Sequence, residues 1–182
     1  MSDIVSAWVR RFAPLIPGGE VLDLACGNGR HARHLAALGH SVVAVDRDAA
    51  ALAAAAGPGI VTSEIELEAA GATWPFGPDR FAGIVVTNYL HRPLMAQMIA
   101  SLAPHGVLIY ETFADGNAQF GKPSNPDFLL HAGELLKWAQ DHELRVIAFE
   151  DGVVEAPNPA MVQRICAVKQ EFPRVAALLP SF

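Results

Sequence analysis

Short hydrophobic runs alternate with helix-like segments along most of the chain. The runs are nearly all apolar and end at turn residues, which is typical of strands buried on both faces of a parallel sheet. They lie at the start of the stretch 21–30 and at 41–45, 60–67, 81–87 and 107–112. Helices are predicted before and between them, over 2–13, 29–38, 48–56 and 93–102. This alternation favours a parallel sheet with helices on both faces and right-handed crossovers.

The pattern changes after the fifth run. Residues 113–131 contain several Gly and Pro turns and no sustained period, and a loop of this length inside a domain usually has a function. We expect it to be a lid or the wall of a substrate site. A helix is predicted at 133–141, followed by strand-like runs at 144–149 and 161–168. No crossover helix fits between these two runs, so they should pair in antiparallel fashion.

These elements predict a single α/β domain over residues 1–182. Its doubly wound, seven-stranded sheet should be mostly parallel, with one antiparallel strand near the C-terminus. The segment 171–182 contains two prolines and carries no predicted element.

Composition narrows the class of protein. The 182 residues, 52% of them hydrophobic, suffice for one sizeable core but not for two ordinary domains. Lys and Arg number 13 against 19 Asp and Glu, and a net charge of −6 argues against nucleic acid as a partner. Cys26 and Cys166 lie in predicted core elements without metal-ligand spacing, which indicates a reducing compartment and predicts no metal site. With neither a signal-like segment nor an apolar window of bilayer length, we expect a soluble, unprocessed, cytoplasmic protein of open oligomeric state.

The stretch 21–30 is the strongest candidate for chemistry. A buried strand ends there in a glycine-bearing turn and enters a helix, which places free backbone N–H groups beside a crevice. An acid, Asp23, stands just ahead of the turn. If Ala25 and Gly27 are the first two small residues of a dinucleotide fingerprint, the third position is Arg30, which would block the approach of a pyrophosphate. The turn therefore predicts a polar ligand other than a dinucleotide.

Residues 22–29, with the sequence LDLACGNG, are similar to the first motif of the class I S-adenosylmethionine-dependent methyltransferases. That motif is an acid followed by a small residue, any residue, Gly, any residue and Gly, and Ala25 is a familiar variant of its first glycine. The resemblance extends over nearly the whole chain and is closest to small bacterial enzymes that act on small molecules. It implies a Rossmann-like fold, S-adenosylmethionine as the cofactor and in-line methyl transfer to a small-molecule acceptor.

The resemblance also implies a set of cofactor-binding residues in the turn and at the ends of the next three strands. They are Asp23, Ala25, Cys26, Gly27, Asn28, Gly29, Asp46, Arg47, Glu66, Leu67, Thr87 and Asn88. Asp23 would fix the turn and the methionine amino group, Asp46 would accept hydrogen bonds from both ribose hydroxyls, and Glu66 with Leu67 would contact adenine. Two questions stay open: whether Arg47 covers the adenine or lies in solvent, and whether Arg30 and Arg33 pair with the cofactor carboxylate or form a solvated helix face.

Methyl transfer from a sulfonium needs no proton for its leaving group, so positioning of the acceptor can supply most of the acceleration. If the acceptor must lose a proton, the candidate bases near the ends of strands four and five are Tyr89, His91 and Glu111. In the branches of the family that methylate exocyclic amino groups of DNA or side-chain amides of proteins, two prolines follow the polar residue at the end of strand four. Asn88-Tyr89 lacks these prolines, which argues against those substrates.

Two other functions share many of these features. A nicotinamide-dependent oxidoreductase would have the same alternating sheet and an acid after strand two, but Asp23 and Arg30 argue against it. A domain of the same fold that binds cofactor or a protein partner without catalysis stays open. Ala82 stands where family members often have aspartate, which predicts weaker cofactor binding if that acid helps to fix the turn.

Overall fold

In the part of the chain that the structure describes, seven strands form one sheet in the order β3-β2-β1-β4-β5-β7-β6. The computed structural model describes residues 4–156 and 158–178. The strands are β1 Glu20–Leu24, β2 Ser41–Asp46, β3 Ile60–Glu64, β4 Phe81–Thr87, β5 Leu102–Phe113, β6 Arg145–Val154 and β7 Ala160–Val168. The pairs among β1 to β5 are parallel, and β7 is antiparallel to both of its neighbours. The predicted fold class is confirmed, including its one reversed strand.

Within the described residues, five α-helices accompany the sheet and are shorter than the sequence predicts. They are α1 Ala7–Phe12, α2 Arg30–Ala37, α3 Ala49–Ala55, α4 Met95–Ala100 and α5 Glu134–Asp141. α1 begins late because the Ser6 hydroxyl accepts hydrogen bonds from the N–H groups of Trp8 and Val9 and thereby caps the helix. Parts of the predicted first helix, of the hairpin connection and of the C-terminal tail fall on residues 1–3, 157 and 179–182, outside the described residues.

Two strand boundaries differ from the prediction in ways that matter for the site. β3 ends at Glu64, so Glu66 and Leu67 lie in the following loop rather than in the strand. β5 begins at Leu102, five residues before the predicted start, because Leu102 pairs with Phe81 across a register irregularity that absorbs the Pro-His-Gly turn residues.

Each face of the sheet carries its own hydrophobic layer. α1, α2 and α3 cover one face with residues such as Trp8 and Leu35, while α4 and α5 cover the other with residues such as Met98 and Leu135. Trp8 is 1% exposed and belongs to the core. Within the described residues, no helix combines the length and apolar character needed to cross a membrane.

No helix lies between β3 and β4. The loop that joins them covers the sheet with aromatic side chains instead: the indole N–H of Trp74 donates to Ser101 Oγ at 2.7 Å, and the rings of Phe76 and Phe81 pack edge to face at 5.1 Å. This arrangement holds the loop residues after Glu64 against the sheet edge, beside the ends of β1 and β2.

Candidate functional site

A cavity of about 280 Å³ opens at the carboxyl ends of β1, β2 and β4. Ligands of open α/β sheets bind at this edge, where the strand order changes direction. The lining residues come from the turn after β1, the end of β2, the loop after β3 and the end of β4. They are Ala25, Cys26, Gly27, Asn28, Arg30, Val45, Asp46, Arg47, Ile65, Glu66, Leu67, Glu68, Thr87, Asn88 and Tyr89.

Ten of the twelve predicted cofactor-binding residues line this cavity, and Asp23 and Gly29 do not. Three further lining residues were not predicted, Val45, Ile65 and Glu68, and their only signal in the sequence is that each stands next to a predicted residue. Arg30 lines the cavity, whereas Arg33 donates to the carbonyl oxygens of Asn28 and Ala54. The structure therefore separates two arginines that the sequence treated alike.

The turn after β1 owes its shape to residues with left-handed backbone conformation. Ala25, Gly27 and Gly29 have φ angles of 54°, 53° and 73°. The Asp46 carboxylate clamps this turn: its Oδ2 accepts the Gly27 N–H at 2.8 Å, and its Oδ1 accepts the Asp48 N–H at 3.0 Å. Each oxygen keeps a lone pair beyond these bonds, so Asp46 can hold the turn and a ligand hydroxyl together.

Asp23 is a buried residue of β1 whose side chain meets the first turn of α2. It is 1% exposed, it accepts a hydrogen bond from the backbone N–H of Ala32, and its Oδ2 has no hydrogen-bond partner. Burial raises the pKa of this carboxyl group to about 7, although the Ala32 N–H and the Arg30 charge act in the opposite direction. In the free protein the carboxyl group therefore exchanges its proton near neutral pH.

Replacing Asp23 by asparagine should stabilise the free protein at pH 8 and change its stability little at pH 4. A carboxyl group whose pKa is higher in the folded than in the unfolded state costs stability as pH rises from about 4 to about 7, because the unfolded chain gives up its proton first. The difference between D23N and wild type should grow by a few kcal/mol over that range, measured by urea unfolding. If the difference in unfolding free energy between D23N and wild type did not change with pH, the raised pKa of Asp23 would be contradicted.

A group of charged side chains forms the rim of the cavity beside the loop after β3. Arg47 lies 3.6 Å from Glu66, and both side chains are substantially exposed, so this ion pair contributes little stability. Glu66 Oε1 also accepts the Glu68 N–H at 3.0 Å, and the Tyr89 hydroxyl is hydrogen-bonded to Glu68. Arg47 is thus engaged with Glu66 at the rim, which favours neither of its two predicted alternatives.

The end of β4 turns sharply into the cavity. Asn88 has a left-handed backbone with φ of 56°, and its N–H donates to the carbonyl of Glu111. The Thr87 hydroxyl lies 3.3 Å from Nδ1 of His31, a buried residue of α2. The carbonyl of Tyr89 accepts the hydroxyl of Tyr110 at 2.7 Å. Backbone and side-chain bonds together hold Thr87, Asn88 and Tyr89 at the cavity wall.

The three predicted bases lie in different surroundings. Tyr89 lines the cavity, and burial, with Glu68 adding to it, raises the pKa of its hydroxyl. His91 lines a second cavity of about 560 Å³, together with Trp74 and Phe76. Glu111 lines neither cavity. Its Oε1 accepts a hydrogen bond from the Ser6 hydroxyl at 2.8 Å, and its Oε2 accepts one from Arg164 Nη1 at 3.2 Å. Their catalytic roles stay predictions.

The loop 113–131 is held in place by buried polar side chains. Asn117 donates to the Pro123 carbonyl and accepts the Met161 N–H, while Gln163 donates to the His131 carbonyl. Arg92 bonds to Glu134 and to two carbonyl oxygens of the loop. No described residue of 113–131 lines either cavity, so its expected role as a lid or acceptor wall stays a prediction.

Residues 21–106 match the family described as a methyltransferase domain. Among solved structures, the fold is similar to TehB from Haemophilus influenzae, with a TM-score of 0.73, 20% identity and coverage of 91% of this chain and 63% of that chain. An S-adenosylmethionine-dependent methyltransferase from Mesorhizobium loti has a TM-score of 0.71 and 17% identity, with 88% and 95% covered. A geranyl diphosphate methyltransferase in complex with GPP and sinefungin has a TM-score of 0.66 and 17% identity, with 89% and 76% covered. No curated protein sequence matches the chain.

Proposed function

We propose that this chain is an S-adenosylmethionine-dependent methyltransferase that methylates a small-molecule acceptor at the cavity described above, on the premise that its residues 21–106 match the methyltransferase domain family. The observation that carries the proposal is the single cavity that joins the glycine turn, Asp46, the loop after β3 and the end of β4. These are the parts that an extended ligand made of an adenine, a ribose and an amino acid would require.

The residues of the cavity fit this cofactor better than a dinucleotide. Three carboxylates, Asp46, Glu66 and Glu68, line it together with only two guanidinium groups, Arg30 and Arg47. This balance favours a ligand with a cationic sulfonium and disfavours a pyrophosphate with two negative charges. The third position of a dinucleotide fingerprint is occupied here by Arg30, which lines the cavity, and a cofactor without phosphate needs no small residue at that position.

We assign roles along the cavity in the order of the strands. The free lone pairs of Asp46 would accept the ribose hydroxyls, while Ile65, Glu66 and Leu67 would hold the adenine beside the end of β3. The turn and the end of β4, with Thr87 and Asn88, would then face the amino-acid end. Asp23 does not line the cavity, and its buried carboxyl group would support the turn through the hydrogen bond that it accepts from the N–H of Ala32.

When bound, S-adenosylmethionine supplies an activated methyl group whose leaving group requires no proton. The protein's part is to hold the acceptor in line, and a base contributes only if the acceptor carries a proton to be lost. The raised pKa of Tyr89 keeps its hydroxyl protonated, which suits a hydrogen-bond donor better than a base. His91, which lines the second cavity, remains the proposed proton acceptor, whereas Glu111 lines neither cavity and is bound by Ser6 and Arg164. The acidic net charge and the carboxylate-lined cavity support a small molecule over a nucleic acid.

The proposal is tested by thermal unfolding in the presence of S-adenosylmethionine, S-adenosylhomocysteine, NAD or NADP. At a concentration of about 100 times Kd a ligand should stabilise the fold by about 2.7 kcal/mol, or roughly 5–10 °C in Tm for a domain of this size. We expect this shift with both adenosyl ligands and none with the two dinucleotides. Stabilisation by NAD or NADP alone would overturn the assignment in favour of an oxidoreductase.

A further inference from the structure

A buried histidine connects the cavity to the segment before α1. His31 lies in the first turn of α2 and is 1% exposed. Its Nε2 accepts the backbone N–H of Ser6 at 3.1 Å, and its Nδ1 lies 3.3 Å from Oγ1 of Thr87, which lines the cavity. The His31 side chain therefore links Thr87, a cavity residue at the end of β4, to the segment that precedes α1.

The directions of these hydrogen bonds follow from the donor at Ser6. A backbone N–H can only donate, so Nε2 of His31 must present its lone pair. A neutral imidazole with a free Nε2 carries its proton on Nδ1. Burial, with nearby Arg30 and His34, lowers the pKa of His31 to about 3, which keeps the ring neutral at physiological pH. His31 therefore donates from Nδ1 to Thr87.

The position of Ser6 is itself fixed. Its hydroxyl accepts the Trp8 N–H at 3.1 Å as part of the α1 cap and donates to Glu111 at 2.8 Å. Glu111 is held in turn by Arg164. The backbone N–H that orients His31 thus belongs to a residue bound on two sides.

Because Thr87 Oγ1 accepts from His31, its own proton is available to a ligand in the cavity. We propose that Thr87 donates this hydrogen bond to the carboxylate of the bound cofactor's amino-acid end, and that His31 is the positioning residue that fixes this direction. This inference rests on the proposed function, which puts the ribose at Asp46. β3, where the adenine is proposed to lie, is on one side of Asp46, and Thr87 at the end of β4 is on the other side, where the amino-acid end would lie. Of the two charged groups at that end, only the carboxylate can accept the proton of Thr87, because an ammonium group has no lone pair.

The first experiment compares Thr87→Val with Thr87→Ser by calorimetric titration of two probes. S-adenosylhomocysteine has the amino-acid end, and 5′-methylthioadenosine lacks it. T87V should weaken binding of S-adenosylhomocysteine about tenfold, the value of one hydrogen bond to a charged group, and binding of 5′-methylthioadenosine less than about twofold. T87S keeps the hydroxyl and should stay within about threefold of wild type for both probes.

The second experiment separates the two bonds of His31. His31→Asn can place its NH₂ near the position of Nδ1 and still donate to Thr87, whereas His31→Gln can accept from Ser6 near the position of Nε2 but loses the donor. H31Q should weaken binding of S-adenosylhomocysteine severalfold, and H31N should recover most of that loss. In a T87V background H31Q should have no further effect on affinity, because His31 acts through Thr87.

These outcomes distinguish the positioning role from a structural one. Equal losses for both probes in T87V, no loss for either, or full additivity of H31Q and T87V would each overturn the inference. If the wild-type protein fails to bind S-adenosylhomocysteine at all, the proposed function itself is wrong.

Discussion

Replacing Asp46 by alanine is expected to weaken S-adenosylhomocysteine binding by about 100-fold or more. If Asp46 holds the ribose as proposed, the variant loses two charge-assisted hydrogen bonds, each worth about 1.5–3 kcal/mol, and tenfold in affinity corresponds to about 1.4 kcal/mol. It also releases the Gly27 N–H, which loosens the turn that faces the ligand. Calorimetric titration measures the affinity, and circular dichroism of the free variant shows whether the fold is kept.

Asp48 provides the matched control for Asp46. It stands two residues further on, and its Oδ1 caps α3 by accepting the N–H groups of Ala50 and Ala51. D48A should lower stability by about 1 kcal/mol through loss of this cap and leave the affinity within about twofold. If D46A bound the ligand as well as D48A does, Asp46 would have no part in ribose recognition and only the clamp on the turn would remain.

The sheet could be predicted because strands buried on both faces have a simple signature. All seven residues of β4 are buried, and the sequence accordingly shows an unbroken apolar run there. The early start of β5 could not be predicted, because Pro104 and Gly106 are typical of a turn and only the pairing of Leu102 with Phe81 makes the segment part of the strand. Local patterns predicted the strands, and long-range pairing set their ends.

The position of the cavity and most of its lining residues could also be predicted from the sequence. The turn follows β1 and Asp46 ends β2, so the parallel pairing of these two strands brings both to one edge of the sheet. The role of His31 could not be found in this way, because its two partners are 25 and 56 residues distant along the chain. A histidine on an amphipathic helix gives no sign of such partners until the helix is packed.

The structure gives a packing reason for the glycine at position 29. The family resemblance implies a cofactor-binding role for Gly29, yet this residue does not line the cavity. A Cβ atom at this position would lie 2.4 Å from the Cβ and 2.7 Å from the Cα of Ala55 in α3. Glycine is thus required by the packing of α2 against α3, and the turn keeps its shape because the two helices can approach each other.

Gly29→Ala should therefore destabilise the protein by about 2–4 kcal/mol, or roughly 4–16 °C in Tm. Its φ of 73° costs an alanine about 1 kcal/mol, and the collision with backbone atoms of Ala55 adds about 1–3 kcal/mol. Gly39→Ala is the control, since its φ of 93° is equally left-handed but nothing lies within 4 Å of the added Cβ. Thermal unfolding should show G39A losing only the conformational part, about 1 kcal/mol. Equal losses in the two variants would mean that α2 and α3 can separate freely, and that the helix packing does not hold the turn beside Asp46.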